Sequence, residues 1–146
     1  MALTVSVRDV KRLLADGSTD TSQGMAIVRA DITLAASSDY GTVTTGTGAA
    51  APGVPLIAST LGLGSTGAVL QVMGMAVRGS TSDSIPKACV PVYDAAKNSV
   101  RFFVDGSATS ASNATSWAGG TPTEIIQSNV AAGDIVRVTL LGSYGN

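Results

Sequence analysis

The sequence predicts an all-β protein: an antiparallel β-sandwich or jelly-roll-like domain with a short N-terminal helix or arm. Three observations carry that expectation. Apolar residues recur with the period of two expected of strands in several separate stretches. Those stretches are short, and Gly-, Ser- and Thr-rich connections divide them. Only one segment, near the N-terminus, has a helical spacing, and no internal repeat is visible. A length of 146 residues suits one domain. Residues 1–23 read as the arm with its short helix and residues 24–146 as the β-sandwich domain.

Leu3 to Gly17 begins the chain as an arm leading into a helix. Val7, Val10 and Leu14 recur at i, i+3 and i+7, Ser6 can cap, Asp9 favours the helix N-terminus, and Gly17 closes the segment. This apolar stripe either packs on its own domain or docks on a neighbouring subunit. A polar link, Ser18 to Gln23, follows.

Met25 to Ala35 is the first strong strand, with Val28, Ala30, Ile32 and Leu34 on the core face and Arg29, Asp31 and Thr33 on a face that is wet or meets a partner. Ser37 to Gly53, rich in small residues, is expected to bury little and to form a loop, with room for a brief strand at Thr42 to Thr45. Val54 to Ile57 starts a short extended piece that Pro55 confines to an edge or a strand start. From Val69 to Val77 both alternating sets are apolar, which predicts a strand covered on both faces, by a second sheet on one and by a loop, helix or partner on the other.

The plainest fold signal is Ala88 to Gly106. Val100, Phe102 and Val104 alternate with Arg101, Phe103 and Asp105, Ala88, Val90 and Val92 lie two apart upstream, and Asp94 to Asn98 form a polar connection. This is an antiparallel hairpin. Ser107 to Thr123 is a long small-residue loop holding Trp117, the only tryptophan. Glu124 to Ile126 offers a short strand or turn and Ala131 to Asp134 a turn. The last strand, Ile135 to Leu141, turns Val136, Val138 and Leu140 inward.

Composition narrows the chemistry. Nine basic against ten acidic residues, with only 13% charged, supply no field for nucleic acid. No histidine is present, which removes Ser-His and Cys-His machinery and the commonest base near neutral pH. The single cysteine, Cys89, permits no intrachain disulfide and no thiolate metal cage, and reads as a small buried hydrophobe. No secretory signal is expected, and no run reaches the roughly 18 apolar residues of a membrane span. Synthesis in a reducing cytoplasm follows, which makes the Asn113 sequon a chance match.

Several motifs imitate chemistry. Gly62-Leu63-Gly64-Ser65-Thr66-Gly67 fits the dinucleotide fingerprint G-x-G-x-x-G, with Asp83 near the ribose position, but the β-branched residues and Gly74 that follow disfavour the helix it requires. A glycine-rich turn is the better reading. Ser84-Ile85-Pro86-Lys87 fits S-x-x-K, but Pro86 breaks the helical turn that would bring lysine to serine, and no K-T-G follows. Ten carboxylates are scattered from Asp9 to Asp134; no two must converge by spacing alone, so a glycosidase pair cannot be argued, and Asp16 to Asp20 lacks the remaining ligands of a calcium loop. No catalytic residue, cofactor or metal is therefore expected. Trp117 is read as an interface anchor or loop plug, with a sugar-stacking platform as the other possibility. Arg101 and Phe103, with Asp105, form the outward edge of the hairpin and suit a subunit interface.

The words Gly24-Met25, Ile32-Thr33-Leu34, Gly53-Val54-Pro55-Leu56, Leu61-Gly62-Leu63, Val90-Pro91-Val92-Tyr93-Asp94, Val100-Arg101-Phe102-Phe103 and Asp134-Ile135-Val136-Arg137-Val138 resemble capsid decoration, or cement, proteins of tailed-bacteriophage heads. The resemblance begins near Gly24 and excludes the predicted helix. It implies a non-enzymatic virion structural protein, made in the host cytoplasm and sitting on the capsid surface. Its partners would be the major capsid protein, whose capsomers it bridges, and other copies of itself in a homo-oligomer, a trimer being favoured, with neither nucleic acid nor membrane bound. On this view Val7, Val10, Leu14, Arg101, Phe103 and Trp117 are interface candidates. The N-terminal segment and one end of the sandwich would meet the shell. The alternative is a phage tail or fibre module recognising a host glycan through Trp117.

Overall fold

A computed structural model describes residues 3–13, 23–41, 53–80, 89–105, 122–125 and 130–145. The protein is almost all β, with antiparallel sheets and no α-helix among the described residues, as expected of a sandwich-like all-β domain. The chain divides into two compact units, each assembled from three separate segments.

One unit comprises Val5–Ile32, Leu56–Ala76 and Val136–Asn146. Its sheet is formed by β1 (Thr4–Leu13), β2 (Gln23–Thr33), β8 (Ile135–Gly145) and β4 (Ala68–Arg78), in the order β1-β2-β8-β4. The alternation read in the sequence is realised in its two central strands. Ala26, Val28, Ala30 and Ile32 of β2 are buried, as are Val136, Val138 and Leu140 of β8. Leu56, Leu61 and Leu63, from the segment leading into β4, are buried as well. Leu63 lies so close to β8 that a side chain at Gly142 would collide with it.

The N-terminal segment departs from expectation. Where a helix is predicted over Leu3 to Gly17, the chain forms β1, an edge strand paired to β2; Leu14 and the rest of that segment lie outside the described residues. The physical reason is local as well as tertiary. Thr4, Val5, Val7 and Val10 are β-branched and favour extended backbone, and three apolar residues at helical spacing make too narrow a stripe to outweigh the ladder offered by the edge of β2.

Strand β4 forms where expected, and with the described residues alone its side chains are half-buried or exposed.

The other unit comprises Met1–Thr4, Thr33–Pro55 and Val77–Ile135. Here β6 (Ser99–Asp105) is central. Along one edge it pairs with β5 (Val90–Asp94), Val90 opposite Phe103 and Asp94 opposite Ser99. Along the other it pairs at one end with β3 (Val54–Pro55) and at the other with β7 (Pro122–Glu124). The predicted hairpin is thus present. Its turn, Ala95 to Asn98, is closed by the Lys97 N–H donating to Asp94 Oδ1 at 3.1 Å and by Asn98 at φ 50°, a left-handed conformation asparagine tolerates better than most residues. Val100, Phe102 and Val104 are buried. Along β5 and the residue before it, Cys89, Pro91 and Tyr93 are half-buried, whereas Val90 and Val92 are exposed.

The Ser37 to Gly53 segment holds the clearest exception to its small-residue composition. A single 3₁₀ turn, Ser37–Asp39, delivers Tyr40 into the interior, fully buried and stacked on Phe102 with ring centroids 5.0 Å apart. The carboxylate of Asp39 accepts the N–H groups of Ala35 and Ala36 and so holds the turn. A bridge between Gly41 and Gly53 follows, and the possible strand at Thr42 to Thr45 lies outside the described residues. The expected turn before β8 is present: Asp134, buried, accepts the N–H groups of Ala131 and Ser80.

Candidate functional site

Two clusters of charged side chains exist among the described residues, one in each unit, and both begin from strand alternation. In the first unit described, β2 turns Asp31 away from the buried side, between the neighbouring strands β1 and β8. Arg8 of β1 donates through Nε to Asp31 Oδ2 at 2.7 Å, and Arg137 of β8 donates through Nε to Oδ1 at 2.8 Å and through Nη2 to Oδ2 at 3.1 Å. The carboxylate is only 8% exposed while each arginine side chain is 57% exposed, so Asp31 is covered by guanidinium groups rather than sunk in apolar core. Arg137 and then Arg8 outweigh that loss of water and hold the Asp31 carboxyl well below the usual carboxylate range. A further tie runs from β1 to the end of β8: Arg12 donates to the Tyr144 hydroxyl at 2.6 Å and lies over its ring at 3.9 Å.

In the other unit, Arg101 stands on the outward side of β6. Its Nε donates to Glu124 Oε1 at 3.0 Å, its Nη2 pairs with Glu124 Oε2, and its Nη1 reaches Asp94 Oδ2 at 3.4 Å. Its guanidinium also lies 5.4 Å from the centre of the Phe103 ring. Glu124 Oε1 accepts the Tyr40 hydroxyl at 3.1 Å, and that hydroxyl in turn accepts the buried N–H of Phe102 at 3.0 Å. The Phe102 carbonyl accepts the Ile125 N–H at 3.0 Å. In the gap between β3 and β7, then, the β6 backbone is satisfied by a tyrosine and a loop N–H. Because both polar groups of Phe102 point away from β5, Pro91, directly opposite, occupies a position that needs no N–H.

Asp94 and Glu124 are held by one cation, and burial raises the Tyr40 hydroxyl above its ordinary range, with Glu124 adding to the shift. Burial likewise pushes the Cys89 thiol up to about 12, which keeps it protonated and unreactive at neutral pH. No group of three or more metal-ligating side chains occurs among the described residues, and no helix there is long and apolar enough to cross a membrane.

The fingerprint-like run Gly62 to Gly67 is a turn. Gly62 and Gly64 have φ of 79° and 84°, and the strand β4 follows where a phosphate-binding helix would be needed. The S-x-x-K run, Asp83 and Asn113 lie outside the described residues.

The sequence-predicted interface residues separate into two groups. Val7 and Val10, on β1, both project methyl groups toward Gly62, where a built Cβ would stand 3.9 and 3.2 Å from them. Arg101 and Phe103 are neighbours on β6, both half-buried, with Arg101 engaged by two carboxylates. Leu14 and Trp117 lie outside the described residues, as does the Asp105 side chain. Sequence reasoning missed Tyr40 and the Arg8–Asp31–Arg137 group. The one available signal for Tyr40 was its rarity: a lone aromatic in a small-residue segment of a chain with 4% aromatic residues has to be anchored somewhere. For Asp31 there was no local signal, because its partners are 23 and 106 residues away.

What both units do present is apolar side chain on strands that end their sheets among the described residues. Val7 and Leu13 on β1, Leu70 and Met73 on β4, and Val90 and Val92 on β5 are all exposed. Comparison with protein-family models, with curated proteins and with solved structures gives no significant match.

Proposed function

We propose that this chain is a non-enzymatic structural protein of a phage head, a decoration protein that binds the outside of the capsid and stabilises it by bridging capsomers. The observation that carries the reading is the placement of exposed apolar side chains on the edge strands β1, β4 and β5. Exposed apolar side chains at a sheet edge offer other protein surfaces a place to dock, and edge strands can add backbone hydrogen bonds to the same contact. The two charged clusters support the same reading, since each is committed to joining strands and leaves no acid or base poised over a cleft. Association through area and shape, multiplied by several copies on a lattice, requires no chemistry beyond this.

The test is co-sedimentation of the full chain with purified heads. Saturable binding at a fixed number of copies per head, with raised resistance of the heads to heat or chelation, is the expected result. Absence of binding to heads, together with glycan-array binding that Trp117→Ala abolishes, would replace the reading with the glycan-recognising tail or fibre module. Deletion of residues 1–16 is not a clean probe of an arm, because it removes β1 from its sheet.

A further inference from the structure

In the order β1-β2-β8-β4, the strand β4 bonds β8 along one edge, and no strand lies beside its other edge among the described residues. The opposite edge of the sheet, β1, carries Arg8, Asp9, Lys11 and Arg12, the kind of charge that keeps a free edge from pairing with another chain. Strand β4 has no such protection. From Ala68 to Val77 it contains neither charge nor proline, and its one charged residue, Arg78, is terminal. Both alternating sets of its side chains are mostly apolar, the pattern of a strand covered on two faces, yet Leu70 and Met73 are 53% and 49% exposed. Gly74 is an independent observation. A Cβ built there meets nothing within 4 Å among the described residues, so their packing does not call for a glycine. A glycine in mid-strand commonly marks the close approach of another backbone.

We propose that β4 pairs antiparallel with β4 of a second copy of this chain, about a two-fold axis at Met73. Charge and proline select this occupant: the edge β5 carries Pro91 in mid-strand, which has no N–H to give a ladder. Pairing β4 with the charged edge β1 of another copy would set ionic side chains against apolar ones, whereas self-pairing matches apolar with apolar. Charge also selects the direction: parallel strands would place the two Arg78 side by side, and antiparallel strands put them about 34 Å apart at opposite ends of the ladder. Centred on Met73, the ladder sets Val72 against Gly74 and Leu70 against Ala76, large against small, and a two-fold operator satisfies both partners at once. Such a pair builds even-numbered assemblies, in contrast to the trimer implied by the sequence resemblance. The inference stands on β4 alone and not on capsid binding, so a dimer that ignores heads and a monomer that binds them separate the two proposals.

The experiment is sedimentation equilibrium of the full chain across about 1 to 100 µM. The expected mass is twice that of one chain. Met73→Lys alone and Met73→Glu alone should each weaken pairing about tenfold or more by setting like charges across the axis, and their equimolar mixture should restore it. Circular dichroism identical to that of the parent verifies folding. Should either variant fail to fold, Met73→Cys supplies the second measurement. Its two copies meet on the axis and oxidise to a linked dimer, while those of Leu70→Cys, six positions out of register, do not. A parent chain that stays monomeric throughout the range overturns the proposal, as does a mixture that stays monomeric or preferential cross-linking through Leu70→Cys.

Discussion

Replacing Tyr40 by phenylalanine removes one oxygen atom from the interior of the protein, and the structure states what that atom does. The hydroxyl accepts the Phe102 N–H at 3.0 Å and donates to Glu124 Oε1 at 3.1 Å, while the ring stacks on Phe102. Tyr40→Phe keeps the ring, its stacking and nearly all its buried apolar area. Glu124 remains engaged by Arg101, so its loss is small. The Phe102 N–H has no such reserve. It lies in the gap between β3 and β7, where a buried orphan donor costs about 1 to 3 kcal/mol. The expected loss is therefore about 2 kcal/mol, or roughly 4 to 8 °C in Tm for a chain of this size. Tyr40→Ala, which also empties the ring site, should cost about 3 to 5 kcal/mol. Urea unfolding followed by circular dichroism measures both. The reasoning is refuted if Tyr40→Phe lies within about 0.5 kcal/mol of the parent while Tyr40→Ala does not, since the hydroxyl would then be dispensable and the ring alone would stabilise the unit.

Two further outcomes follow from named contacts. The Asp31 carboxyl titrates below its unfolded value because Arg137 and Arg8 favour the charged form, so its contribution to stability is complete above the unfolded pKa of about 3.9 and is lost as the pH falls through the lower, folded value. The Tm of the parent should therefore fall toward that of Asp31→Asn as the pH drops from about 5 to 2, and parallel curves would show that the three-strand ion pair contributes nothing. Gly67→Ala should destabilise by about 3 kcal/mol or more, read from the urea midpoint, because a Cβ there collides with the Leu63 carbonyl and stands 2.7 Å from the Ser143 carbonyl, both backbone atoms. A neutral effect would mean that the turn before β4 can move away from β8.

Much of the fold was legible because strand alternation is a local property. Val28, Ala30, Ile32 and Leu34 on β2 and just beyond it, Val100, Phe102 and Val104 on β6, and Val136, Val138 and Leu140 on β8 all declare their buried face by spacing alone, and all are buried. Where the period was ambiguous, neighbours decided. Val7 and Val10 fit a helical stripe as well as a strand, and the edge of β2 settled the matter in favour of β1. Around the start of β5 both Val90 and Cys89 fit an inward face, and the register with β6 sets the valines opposite Phe103 and Arg101. The interface candidates were legible only as residue types, since exposure depends on what lies opposite.

The all-β class, the hairpin around Asp94 to Asn98 and the glycine-rich turn at Gly62 to Gly67 were determined by the sequence itself, because period and turn chemistry act over a few residues. Only the tertiary structure decided that Tyr40 leaves a small-residue segment to complete the β6 edge, that Asp31 sits between arginines from two other strands, and that β4, apolar on both sides, ends its sheet among the described residues. Each of these depends on which segments meet across long separations in the chain, and strand order is a global property that no single stretch of sequence encodes.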